Sequence, residues 1–270
     1  NSTSKDLKYT SATTAGTWAS GGALGTGTRL LAGAGIQTAA LGFGGYDTGN
    51  TAVTEEYDGS TWTPSGSMNT ARNGLAGAGT QTAALAFGGH IPPNTAVTEE
   101  YDGTNWSPQT SLNTSREHLA GAGTQTAALA FGGGTPAATA ATEEYNGSTW
   151  TTITPGLNTA RYRLAGCGTQ TAALGFGGYS TAVTGATEEY DGSTWTSSPG
   201  SLNTARNNLA GCGTQTAALG FGQGAVPVSG ATELYDGSTW TSNPNSMGTG
   251  RYTLGGAGTQ AAGLAFGGRT

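Results

Sequence analysis

The sequence predicts an all-β fold, a six-bladed β-propeller of four-stranded blades, on three observations. Six tryptophans, Trp18, Trp62, Trp106, Trp150, Trp195 and Trp240, recur at intervals of 44, 44, 44, 45 and 45 residues. Each interval repeats nearly one string, seen whole from Thr54 to Gly89 as TEEYDGSTWTPSGSMNTARNGLAGAGTQTAALAFGG. A period of 40 to 50 residues, rich in strand formers and turn residues, marks a propeller or solenoid array. Finally, the repeat is out of phase with the chain. Residues 1–28 hold Trp18 but no TEEYDG string, and residues 251–270 stop before another Tyr and Trp. One blade shared between 1–28 and 251–270 would close a ring by pairing N- and C-terminal strands, leaving no long edge open. The whole of 1–270 then reads as a single domain.

Within a unit the pattern predicts four strands. Leu75–Gly79 is short and made of small residues, as strands crowding a narrow axis require. A Thr80-Gln81 turn leads to a second strand, Thr82–Phe87, ended by Gly88-Gly89. A third runs from Ala52 to Tyr57. Asp58-Gly59 predicts a tight primed hairpin turn, because Asp and Gly tolerate positive φ. The fourth strand starts at Trp62. Leu85, Phe87, Tyr57 and Trp62 are the expected filling between blades; a buried Trp contributes up to roughly 4–6 kcal/mol by area.

Composition narrows the function. With 49 glycines but only 10% charged residues, the chain is too patterned for a disordered Gly-rich segment. A net charge of -6 argues against a nucleic-acid partner, since phosphate neutralisation needs clustered Lys and Arg. No apolar run approaches a membrane span and no signal peptide opens the chain, so no membrane insertion is expected. A start at Asn1 reads as a fragment or a processed chain. Cys167 and Cys212 fill a position that Ala34, Ala78, Ala122 and Ala257 hold elsewhere. They read as small buried residues, with a bridge between neighbouring units the alternative.

The double glycine closing an apolar strand, the Tyr before an Asp-Gly turn, the Trp five residues later, then Met68 and Arg72, resemble the kelch repeat. The first half-unit departs from it, with Thr28 in the arginine slot and Arg29 one place later. The TEEYDGSTW...NTAR...GAGTQTAALAFGG wording is also similar to kelch-like arrays in virion structural proteins of marine phages, especially those of cyanobacteria. That second resemblance implies a virion or extracellular location and other virion proteins as partners.

Catalysis is not expected. Glu55-Glu56, Glu99-Glu100, Glu143-Glu144 and Glu188-Glu189 are adjacent on a strand and so face opposite sides, which rules out a dyad. Leu234 replaces the second Glu in the fifth copy. The first Glu is expected to pair with an Arg among Arg72, Arg116, Arg161, Arg206 and Arg251, of the same or a neighbouring unit, as a structural ion-pair ring. His90 and His118 form no recognisable metal or triad motif, and the GxG strings open no helix as a phosphate loop would. A copper oxidase site of the kind known on kelch propellers would need Tyr and His ligands and a crosslinked Cys. Neither metal nor cofactor is expected.

Comparing the copies locates the candidate site. The hairpin turns scarcely change, whereas the opposite loops differ in every blade: Tyr46-Asp47-Thr48-Gly49-Asn50, His90-Ile91-Pro92-Pro93-Asn94, Gly134-Thr135-Pro136, Tyr179-Ser180-Thr181 and Gly224-Ala225-Val226-Pro227. A second variable pair follows each Arg: Asn73-Gly74, Glu117-His118, Tyr162-Arg163, Asn207-Asn208 and Tyr252-Thr253. Rigid scaffolds place recognition residues on such loops. Aromatic rings among Asn, Asp, Arg and His suit sugars as well as proteins. The expected partner is therefore a host cell-surface glycan or protein, with Tyr162 and Arg163 foremost. The alternatives are a kelch-type interaction scaffold outside a virus and a ligand-free assembly spacer.

Overall fold

Every strand follows from the repeat. In the computed structural model, which describes residues 5–10 (backbone only), 16–223 and 228–270, each unit contributes four antiparallel strands. The chain opens with β1 (Lys5–Thr10) and β2 (Thr17–Ala23). The first blade is β3 (Ala32–Ile36), β4 (Ala39–Phe43), β5 (Thr54–Tyr57) and β6 (Trp62–Ser65). The second is β7 (Ala76–Gly79), β8 (Ala84–Phe87), β9 (Thr98–Tyr101) and β10 (Trp106–Gln109). The third is β11 (Ala120–Gly123), β12 (Ala128–Phe131), β13 (Thr142–Tyr145) and β14 (Trp150–Ile153). The fourth is β15 (Ala165–Thr169), β16 (Ala172–Phe176), β17 (Thr187–Tyr190) and β18 (Trp195–Ser197). The fifth is β19 (Ala210–Thr214), β20 (Ala217–Phe221), β21 (Thr232–Tyr235) and β22 (Trp240–Asn243). Last come β23 (Gly255–Gly258) and β24 (Ala262–Phe266).

The fold is an all-β propeller with four-stranded antiparallel blades. Five blades are each built from four consecutive strands. A further four-stranded sheet, ordered β2-β1-β24-β23, draws on both ends of the chain, with Leu7 opposite Ala265 and Tyr9 opposite Trp18. The innermost strands β3, β7, β11, β15, β19 and β23 touch in succession, and β23 also touches β3.

Small residues line the axis because neighbouring blades leave no space. A Cβ on Gly121 would lie 2.7 Å from the Gly77 carbonyl oxygen and 2.7 Å from the Phe87 ring. The large residues form wedges between blades. Trp106 lies between Tyr101 of its own blade, at 5.1 Å between ring centroids, and Phe43 of the preceding one, at 4.9 Å. Trp195 is held in the same way by Tyr190 and Phe131.

The constant residues are connectors between and within blades. Each Thr-Glu-Glu-Tyr residue has its own partner. The Trp106 indole donates to Thr54 Oγ1 at 2.9 Å, and Trp150, Trp195 and Trp240 repeat the bond to Thr98, Thr142 and Thr187. The first Glu meets the Arg of its own blade inside the core: Arg72 with Glu99, Arg116 with Glu143 at 3.0 Å, Arg161 with Glu188, and Arg206 with Glu233. Burial pulls the Arg116 guanidinium down to about 10 against the opposing charge of Glu143. The second Glu accepts the Tyr hydroxyl of the next blade, as in Tyr145 to Glu100 and Tyr190 to Glu144. Burial, followed by that hydrogen bond, pushes Tyr145 up to about 12.

Four sequence expectations change or sharpen. The Asp-Gly hairpin is not a two-residue primed turn. Four residues, 58–61, separate Tyr57 from Trp62; Gly59 alone among them has positive φ, and Asp58 acts through its carboxylate, which accepts the Ser60 and Thr61 amides at 2.7 and 2.8 Å. The Gln of the Gly-Thr-Gln-Thr turn is also more than a turn residue. Gln125 Nε2 donates to the Ala84 and Tyr101 carbonyls of the preceding blade at 3.2 and 2.6 Å. In the first blade Thr28 is buried in the arginine slot, and buried Glu55 accepts the Gly25 and Thr26 amides at 2.7 and 2.9 Å, the first of these a bond that Glu99 also takes from Asn69. Both cysteines are free buried thiols, unbridged in the structure, and burial pushes Cys167 up to about 12.

Candidate functional site at the axial mouth

The chain forms a continuous backbone circuit where the innermost strands begin. Leu30 N–H donates to the Thr253 carbonyl, Gly74 to Leu30, His118 to Gly74, Arg163 to His118, Asn208 to Arg163 and Thr253 to Asn208, at 2.7–3.0 Å. All six residues have φ between 52° and 60°. Only glycine adopts that conformation freely; a β-branched residue such as Thr253 is a genuine outlier there. The circuit rims a cavity of about 150 Å³ on the axis, floored by the Leu-Ala-Gly runs of the innermost strands.

The two variable sets meet on this face. Isolated antiparallel bridges pair Arg29 with Tyr46, Asn73 with His90, Glu117 with Gly134, Tyr162 with Tyr179 and Tyr252 with Arg269. The Gly224-Ala225-Val226-Pro227 loop lies outside the described residues. One arc of the rim is a continuous cluster. His90 Nδ1 approaches Glu117 Oε2 at 3.1 Å, and His118 Nε2 lies 3.7 Å from the same oxygen. The His118 ring lies 6.5 Å from that of Tyr162, whose ring is 5.6 Å from Tyr179. The Arg163 guanidinium sits 5.1 Å from the Tyr162 centroid. Across the mouth, Arg29 covers the Tyr46 ring at 4.7 Å. Burial, then the charges of Arg163 and His90, hold His118 down to about 4, so it is neutral at pH 7.

Tyr46, His90, Glu117, His118, Tyr162, Arg163, Tyr179, Asn208 and Tyr252 are partly exposed on this face, and Asp47 is exposed. Asn73 and Asn207 are buried and belong to the frame. The Asn73 amide donates to Asn50 Oδ1 at 2.5 Å, and Asn50 and Asn94 reach the next loops at the His90 and Gly134 carbonyls, each at 2.9 Å. These lateral ties brace adjacent loops. The sequence places both Asn73 and Asn207 among the candidate contact residues and does not show the bracing; the recurrence of Asn50 and Asn94 late in their loops is its one sequence signal. Leu30 and Arg269 join this face as well; Arg29-Leu30 is the variable pair of the first half-unit, a match hidden in the sequence because Arg29 reads as a displaced core arginine.

Among the described residues, no group of three or more His, Cys, Asp and Glu is arranged to hold a metal ion. Compared with known protein families and with curated proteins, the chain matches none of either.

Proposed function

We propose that the chain is a non-enzymatic recognition module: a closed six-bladed ring with kelch-like blades, whose axial loop face binds a ligand on a cell surface. The sheet β2-β1-β24-β23 is the sixth blade in this reading. The Leu30–Thr253 link in the backbone circuit and the contact of β23 with β3 support it.

The observation that carries the binding reading is the occupancy of the axial circuit. Gly74 demonstrates that glycine fits there, yet Leu30, His118, Arg163, Asn208 and Thr253 take the same positive φ. Each such residue costs roughly 1–2 kcal/mol of backbone strain. Side chains kept where glycine would be less strained have a task at the mouth. The braced loops suit binding with little rearrangement, which lowers the ordering cost. In the phage setting suggested by the repeat wording, the module sits on a tail fibre or another virion appendage. The variable face then meets the host envelope, and other virion proteins flank it.

A glycan array and intact candidate host cells test this with the isolated domain and a Tyr162→Ala/Arg163→Ala control. Saturable binding lost in the double variant is expected. A folded protein that binds neither would overturn the adhesive reading and leave an assembly spacer.

A further inference from the structure

We infer that the ligand of the axial mouth carries a carboxylate, in the form of an acidic sugar residue whose carboxyl group pairs with Arg163 and whose ring lies on the Tyr162–Tyr179 side of the rim. This inference rests on the reading of the axial face as a binding surface.

The charge layout is the first support. The protein carries a net charge of -6, but its two ends differ. Four exposed aspartates, Asp58, Asp102, Asp191 and Asp236, mark the hairpin-turn end, whose described turns contain no basic residue. The loop end carries Arg29, Arg163 and Arg269 against Asp47 and Glu117, apart from the core arginines. None of those three arginines forms an ion pair among the described residues, whereas Arg72, Arg116, Arg161 and Arg206 all do. Glu117 is engaged by His90 at 3.1 Å.

Arg163 itself is the second support. It lines the cavity, its Nε is buried with no hydrogen-bond partner, and its backbone is strained at φ 57°. Arg163 is partly exposed, its guanidinium rests on the Tyr162 ring, and it forms no ion pair among the described residues; a planar guanidinium so placed recognises a carboxylate through paired hydrogen bonds. The neutral His118 beside it adds no competing charge at pH 7 and supplies a further ring nitrogen.

The surroundings favour a sugar over a peptide. About 150 Å³ is far below the usual volume of a drug-sized pocket and suits one small polar ring. Tyr162 and Tyr179 lie outside the cavity lining but beside Arg163, where their rings can meet the CH groups of a pyranose, and Asn208 and Thr253 line the cavity itself. Protein interfaces centre on apolar anchors. Among the described residues Ile36 and Val183 are the exposed large aliphatics, and Ile36 lies at the hairpin-turn end, so the loop face presents aromatic and polar side chains with little aliphatic surface.

Calorimetric titration of the folded 270-residue chain tests the inference with four probes: trigalacturonate, a sialylated trisaccharide, the methyl esters of both, and hexaglutamate. Arg163→Gly is the informative variant, because glycine relieves the positive φ and keeps the backbone circuit. Expected are binding of at least one acidic saccharide, roughly tenfold or greater weakening by its methyl ester and by Arg163→Gly, and a melting temperature for the variant no lower than that of the parent. Binding of the esters as tightly as the acids, or acid binding unchanged in Arg163→Gly, overturns the carboxylate assignment. If Tyr162→Ala still abolishes that binding, the axial recognition reading survives. Hexaglutamate bound as tightly as the acidic saccharides overturns the sugar in favour of an acidic peptide. No binding of any probe overturns the acidic-sugar assignment, and a negative glycan array and host-cell assay beside it overturns the axial recognition reading as well.

Discussion

At the scale of single residues, the four hairpin aspartates show how a charge far from any binding site shapes acid stability. Hydrogen bonds from the backbone amides two and three residues on lower Asp58, Asp102, Asp191 and Asp236; for Asp191 and Asp236 the side-chain hydroxyls add to this and the drop is from 3.8 to about 2. A carboxyl group depressed in the folded state binds fewer protons there than in the unfolded chain between those two values. Its contribution is therefore full above pH 3.8 and lost as pH falls toward 2. The third hairpin makes the same turn with Asn146, which cannot titrate. Replacing all four aspartates by Asn should keep the turns and flatten the stability–pH curve between pH 4 and 2, read by urea midpoints. An unchanged acid limb would assign it elsewhere. The sequence announced a turn at Asp-Gly correctly but gave it the wrong mechanism, because a two-letter signal does not distinguish a backbone that needs positive φ from a side chain that caps the loop.

At the scale of the element, each blade is held by polar connectors whose partners are 24 to 53 residues away, and their geometry decides what a substitution costs. Arg116 and Glu143 are both fully buried, and Glu143 also accepts the Asn113 amide at 2.6 Å. Arg116→Met would leave that carboxylate buried without its countercharge, for a loss of about 3–5 kcal/mol. Arg116→Met/Glu143→Leu should recover part of the loss, since replacing both charges by apolar groups removes the desolvation burden of each. Denaturant midpoints of the four-member cycle check this; a double variant weaker than the sum of the singles would contradict it. Such partnerships were legible in part. Equal copies of Glu and Arg implied pairing, but their register within one blade needed coordinates, as did the Gln125 link to the preceding blade. The strands, the Phe and Trp wedges and the small axial residues were all readable, because repeated spacing reports side-chain alternation directly. Departures between copies were harder: Glu55 accepts the Gly25 amide just as Glu99 accepts that of Asn69, and nothing in the structure explains why Thr28 takes the arginine slot.

At the scale of the whole molecule, β1 lies between β24 and β2, so its removal would expose the β24 edge and strand β2 without a partner. Deleting residues 1–12 should lower the melting temperature and produce association that rises with protein concentration, seen by light scattering, as an unpaired edge strand does. An equally stable monomer would show that this sheet is dispensable. The candidate site was legible as a face, since variation confined to two positions per copy marks a surface; the division of Asn73 and Asn207 from their exposed neighbours was not, because burial depends on the adjacent loop. The backbone circuit at the mouth has one more consequence. Its six N–H to C=O vectors run in a single sense around the axis, so their in-plane components cancel like the segments of a closed loop. Around the rim the peptide groups therefore carry little net in-plane dipole, and the side chains supply what distinguishes one position from the next. New specificities could therefore be written onto one permanent frame by exchanging side chains at the rim, with the frame itself unaware of the change.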